Sequence, residues 1–199
     1  MNLLTHLQLA HQVHKEIRKQ TGAPLNYIGF LLGSILPDIS GFYLSVPHYL
    51  KSSLFFVSNK SVELNERTKT DVMHDSFGYA KNLGVICHYI SDYFCFAHTS
   101  FFNKNLFHHF IYEIKLMIKM NKGWKKSKKL FNQNNINVFS KDTEYFIIKM
   151  NQEYLEDVRS FATDIGYAIH TSSQLLAGMV SEAVFNNAVS CMNLFPELI

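Results

Sequence analysis

The chain has 199 residues, enough for one domain with a sizeable core and too few for a second catalytic domain. Charged residues make up 18% of it, apolar residues 47% and aromatic residues 14%, which excludes an intrinsically disordered chain and a coiled coil. Nineteen Lys and Arg against sixteen Asp and Glu leave a net charge of +3, short of what coats nucleic acid, whereas ten histidines raise the question of metal binding or proton transfer.

The N-terminal stretch MNLLTHLQLAHQVHKEIRK has no basic leader, unbroken apolar core or small-residue cleavage site, so it reads as a helix rather than a signal peptide. Leu3, Leu4, Leu7, Ala10, Val13 and Ile17 recur at helical spacing, and His6 shares the face of Ala10, Val13 and Ile17. Gly22 and Pro24 end this helix near Thr21. The apolar run 26–36 predicts a second helix stopped by Pro37, which puts Asp38 where helix gives way to loop. Ser45 and Pro47 read as the entry to a third helix, with His48 in its first turn and an end near Asn65.

Residues 75–96 form the most apolar segment, where Phe77, Leu83, Ile86, Cys87, Ile90 and Phe94 wrap more than one face, so this helix is expected to be central and buried. After a break at 99–103, Leu106 to Met120 predicts another helix, followed by a basic, Asn-rich surface segment, KGWKKSKKLFNQNNINVFSKD. Two more amphipathic helices, over 142–160 and 163–187, complete the chain. With no strand-like alternation, internal repeat or Gly-rich phosphate loop, the expected class is all-α, a single bundle of roughly six to eight helices spanning 1–199. No window is long and apolar enough to cross a membrane, so the expected address is the cytoplasm. Cys87, Cys95 and Cys191 form neither an even set nor a CxxC pair and read as buried thiols.

Chemistry concentrates in His88-Tyr-Ile-Ser-Asp92-Tyr-Phe-Cys-Phe-Ala-His98 and His109-Phe-Ile-Tyr-Glu113. His88 with Asp92, and His109 with Glu113, are spaced i, i+4, which sets an imidazole and a carboxylate on one helix face. Asp92 lies between Ile90 and Phe94 in the helix that most needs burial, where an unpaired carboxylate would cost several kcal/mol. A cation resolves that cost, either a metal or a Lys or Arg from elsewhere, because residues 83–102 hold no basic side chain besides imidazoles. Nitrogen and oxygen donors without thiolate suit zinc or a similar borderline ion.

Thr5-His6, Leu32-Gly33-Ser34-Ile35-Leu36-Pro37-Asp38, and the His-x3-Asp-x5-His then His-x3-Glu series fall in order over residues 1 to 115. As a set they resemble the zinc-dependent phospholipase C family, which includes secreted bacterial enzymes and the catalytic domain of clostridial alpha-toxin. Single-strand-specific nucleases share its fold. The resemblance implies one zinc held by Asp38, His48, His88 and Asp92, and a second held by His98, His109 and Glu113. A third would use His6, a bridging Asp92 and the amino and carbonyl groups of the first residue, which is Met1 where the secreted enzymes have Trp. His74 also lies between Asp38 and His88, but the Pro47-His48-Tyr49 context resembles the family, and His74 beside Asp75 reads as a helix N-terminus.

The implied reaction is hydrolysis of a phosphodiester, typically a phospholipid head group, by zinc-activated water, with Asp38 or a nearby carboxylate taking the proton. Ile39 stands where the secreted enzymes place the aromatic that lines a choline pocket, so choline preference is not implied. Lys115 to Lys129, around Trp124, reads as a solvated loop or as a contact with an anionic membrane or nucleic acid. A nuclease or other phosphodiesterase on the same scaffold, and a non-catalytic metal-binding family member, are the alternative functions.

Overall fold

The computed structural model describes residues 1–66, 75–102, 105–128, 131 and 142–194, with side chains placed through residue 183. Among them are seven α-helices and no strand: α1 (Leu3–Thr21), α2 (Tyr27–Ile39), α3 (Leu50–Asn65), α4 (Ser76–Tyr93), α5 (Leu106–Ser127), α6 (Thr143–Glu156) and α7 (Phe161–Leu194). Short 3-10 turns lie at Tyr43–Ser45 and Phe96–His98. The fold is all-α, and no described helix is long and apolar enough to cross a membrane.

Local chemistry sets the helix ends. Asn2, Asn26, Asp75 and Asn105 each accept a hydrogen bond from an otherwise unpaired amide in the first turn of α1, α2, α4 and α5. Gly22, at φ 66, closes α1 by donating its amide to the Arg18 carbonyl.

α4 is the centre of the molecule, buried at every residue from Leu83 to Tyr93, with α1, α2, α3 and α7 packed around it. α2 crosses it at unusually close range. A Cβ at Gly33 would overlap the Lys81 carbonyl, and one at Gly84 would overlap the Phe30 carbonyl. This approach brings the C-terminal turn of α2 against the face of α4 that carries His88. Gly33→Ala is therefore expected to lower the thermal midpoint by several degrees, corresponding to about 1–3 kcal/mol of overpacking. An unchanged melting curve would show that the two helices can separate at no cost.

Several elements differ from their sequence-based prediction, each for a physical reason. Pro37 does not end α2: proline forfeits one amide donor, but Ser40 still donates to the Leu36 carbonyl, so Asp38 sits inside the last helical turn. His48 lies in the bend ahead of α3 rather than in its first turn, because the Tyr43–Ser45 turn and Pro47 delay the helix to Leu50. α5 runs on through the basic stretch to Ser127, since Gly123 and Ser127 are buried against Ile165 and Gly166 of α7 while Lys122, Lys125 and Lys126 face outward. Phe77 stands 41% exposed at the start of α4, outside the core. Cys87 and Cys95 are buried free thiols, with burial pushing Cys87 up to about 12; the Cys191 side chain and His74 lie outside the described residues.

Candidate metal centre

Four segments of helix and two connecting bends deliver the titratable side chains to one place. α1 supplies His6 from its first turns, α2 supplies Asp38 from its last, and the bend before α3 supplies His48. α4 supplies His88 and Asp92, the 3-10 turn supplies His98, and α5 supplies His109 and Glu113.

Asp92 is at the middle, with no solvent exposure. Its Oδ2 lies 2.9 Å from His48 Nδ1 and 3.4 Å from His88 Nε2. Its Oδ1 lies 3.4 Å from His6 Nε2 and 3.6 Å from His98 Nδ1, and contacts the Met1 amino nitrogen. One carboxylate thus faces two groups of imidazoles, one group on each oxygen. Among the described residues the cation that reaches Asp92 is the Met1 ammonium, and no Lys or Arg does.

Among the described residues, three groups of side chains have donor atoms close enough to hold an ion: His6 with His88 and Asp92; Asp38 with His48 and His88; and His98 with His109 and Glu113. Asp38 Oδ1 is 3.7 Å from His88 Nε2 and 3.8 Å from His48 Nδ1. Glu113 Oε1 lies 2.9 Å from His109 Nε2 and 3.2 Å from His98 Nε2. The Met1 amino nitrogen is 3.0 Å from His98 Nε2 and 3.4 Å from Glu113 Oε1, so it stands between the two halves of the centre.

Electrostatics prepare these groups as ligands. Burial lowers His88 well below its ordinary value, with His6 adding to the effect, and burial likewise lowers His6. The two rings stack with centroids 3.7 Å apart, so neither favours a second positive charge. His88 Nδ1 donates to the Ser34 carbonyl at 2.8 Å, which fixes the tautomer and leaves the Nε2 lone pair facing the acids. Burial works against ionisation of Asp92, yet His98 and the Met1 ammonium hold its carboxyl well below the usual range. Glu113 also opposes burial and is held at about 2, chiefly by the His98 hydrogen bond. Asp38 is the exception: burial raises its carboxyl, and it is the most accessible of the three acids at 24% exposed.

The residues fit a metal. Both ring nitrogens of His6 are buried with no hydrogen-bond partner, and an ion beside Nε2 would remove the cost at that atom. The donor set of imidazole nitrogen and carboxylate oxygen is what zinc accepts without thiolate.

Of the eight ligands expected from the sequence, all eight converge. The other described histidines stand elsewhere: His11 pairs with the Tyr27 hydroxyl, His14 donates to the Leu25 carbonyl, His108 bonds Asn105 and His170 stacks on Phe131. The sequence reading missed Asp164, whose buried carboxylate underlies the His98 turn.

A helical scaffold carrying clustered imidazoles around a buried carboxylate defines an all-α protein with a histidine–carboxylate cluster able to hold metal. Comparison with known families matches residues 5–161 to zinc dependent phospholipase C, and the chain belongs to that family. Neither the curated proteins nor the solved structures give a match.

Proposed function

We propose that this centre is a zinc site that hydrolyses the phosphodiester of a phospholipid and frees its phosphorylated head group. The observation that carries the reading is the position of Asp92, each of whose oxygens faces a different imidazole group. Asp38, His48, His88 and Asp92 would hold one ion; His98, His109 and Glu113 a second; and His6, Asp92 and the Met1 amine, where it is free, a third. Zinc, when bound, acidifies a water toward neutral pH and offers Lewis-acid positions to phosphate oxygens. Asp38, Asp92 and Glu113 would leave a pair of divalent ions with a positive balance, suited to an anionic phosphate. Asp38, at the accessible edge with a raised carboxyl, is the base suited to take the proton from the attacking water. His88 keeps its Nδ1 proton on Ser34 and stays out of proton transfer.

A phospholipid is favoured over a nucleic acid by what flanks the ligands. Phe42, Leu44, Tyr49, Phe101, Phe107 and Phe110 neighbour Asp38, His48, His98 and His109 in the chain, and each is more than half exposed. A cavity of about 340 Å³ opens beside His98, with Tyr49, Leu50, Phe101 and Leu155 in its wall and Lys51 at its edge. Exposed apolar side chains suit a lipid surface, whereas single-stranded nucleic acid is bound in a cationic groove. Lipid contact falls more naturally on these residues than on Lys115 to Lys129, where Lys119 lies over the Phe161 ring and Lys128 pairs with Glu16.

The test compares a soluble p-nitrophenyl phosphodiester, phospholipid vesicles and single-stranded DNA as substrates, with zinc and after chelation. Zinc-dependent turnover is expected on the soluble diester and on vesicles, with DNA the poorest. DNA cleaved fastest would support the nuclease alternative, and turnover indifferent to chelation would remove the metal from the chemistry.

A further inference from the structure

Asp164, in the first turn of α7, is 1% exposed and is bonded on both oxygens by three different elements. Its Oδ2 accepts the Phe96 amide at 3.0 Å and the Tyr112 hydroxyl at 2.7 Å, and its Oδ1 accepts the Tyr154 hydroxyl at 2.9 Å. Phe96 opens the 3-10 turn that ends at His98, Tyr112 precedes Glu113 on α5, and Tyr154 comes from α6. None of these bonds reaches a candidate ligand directly. Two of them fix the backbone or side chain within two residues of one, on two of the elements that form the same cluster. The residue lies beyond the stretch matched to the family, which ends at 161.

We propose that Asp164 is a positioning residue for the His98, His109 and Glu113 cluster, setting the 3-10 turn and α5 at the separation a single ion requires. The proposal rests on the reading of that cluster as a zinc site. A carboxylate is an expensive way to fill a buried space, since burial opposes its charge and a wholly apolar packing, with the three donors replaced as well, is often as stable. What a carboxylate offers is direction, since it ties an amide of the turn and a hydroxyl of α5 to one atom. Burial holds its acid up to about 6, against the pull of the same three donors, which is the mark of a group kept in place despite its cost. The packing around it does not depend on the charge, because the Phe96 ring also meets Phe102, Tyr112 and the Arg159 guanidinium. Removing the carboxylate should therefore loosen the geometry of His98 without unfolding the turn.

Zinc and cobalt(II) are titrated into the full chain against a competing chelator, and the binding step abolished by His109→Ala marks the cluster. Asp164→Ala is expected to weaken that step roughly 10- to 100-fold, the usual cost of losing an outer partner, while the step belonging to Asp38, His48 and His88 is unchanged. The cobalt(II) absorption spectrum of the weakened step should also change, a signature that simple loss of stability would not produce. Asp164→Asn, whose amide oxygen still accepts from Phe96, should recover part of the affinity. Equal weakening of both steps in proportion to a lowered melting point, or no weakening of either, would overturn the proposal. If Asp164→Ala does not fold, Asp164→Asn and Tyr112→Phe carry the same comparison with a smaller expected shift. A wild-type chain with no step removed by His109→Ala would instead defeat the zinc reading itself, before any change at Asp164 is made.

Discussion

Asp92→Asn is expected to remove more than one equivalent of zinc per chain and to lower hydrolysis of a soluble phosphodiester by at least roughly two orders of magnitude. The substitution keeps the shape and deletes the charge. Because Oδ2 faces His48 and His88 while Oδ1 faces His6 and His98, an amide must turn its NH2 toward one of the two groups. A donor aimed at an imidazole lone pair excludes an ion there, and the surviving oxygen is a weaker ligand for the other. Without metal the variant should also be less stable, since the buried Met1 ammonium loses the nearer of its two carboxylate partners and keeps only Glu113 at 3.4 Å. Elemental analysis of the purified wild type and variant, with thermal melts of both after chelation, decides the matter. Full metal content in Asp92→Asn would show that Asp92 is a neighbour of the site and not a shared ligand.

The centre was legible in the sequence because its members lie on helices whose periodicity is strong. His6 on the face of Ala10, Val13 and Ile17, and Asp92 one turn beyond His88, follow from 3.6-residue spacing, and both faces are buried. The ends of helices were less legible. Pro37 reads as a stop because proline lacks an amide hydrogen, but close packing of α2 on α4 holds the helix for another turn. The lysines after Met120 read as a loop because charge hides the buried stripe of Gly123 and Ser127 beneath them. Asp164 escaped notice because its partners are far away in the chain, at Phe96, Tyr112 and Tyr154. A signal was present: Asp164, Ala168, Thr171 and Leu175 share one helical face and are all buried, the same argument that singled out Asp92.

Acid should destabilise the metal-free protein well before Asp92 and Glu113 are protonated. Burial lowers His6, His14, His88 and His170, the last to about 4, so the fold holds four imidazoles neutral that the unfolded chain would protonate at about 6.5. Stability supplied by these groups is present above that pH and is lost as the pH falls through it. Asp38 and Asp164 act with the opposite sign: burial raises both, so the folded chain keeps protons that the unfolded chain has released, and the part due to Asp164 is regained as the pH falls below about 6. Four lowered imidazoles outnumber two raised carboxyls, so the unfolded state binds more protons between about pH 6.5 and 5 and stability falls as the pH falls there. Below about pH 4.5 the loss deepens, because Glu113, held at about 2, and Asp92 must then also take up protons on unfolding. Zinc should steepen the dependence, because each imidazole that holds an ion must stay neutral. Urea unfolding at pH 7, 6 and 5, in chelator and in zinc, measures both slopes. Stability that holds level or rises between pH 6.5 and 5 in chelator would mean that the buried imidazoles carry protons in the folded chain, and are not poised as metal ligands.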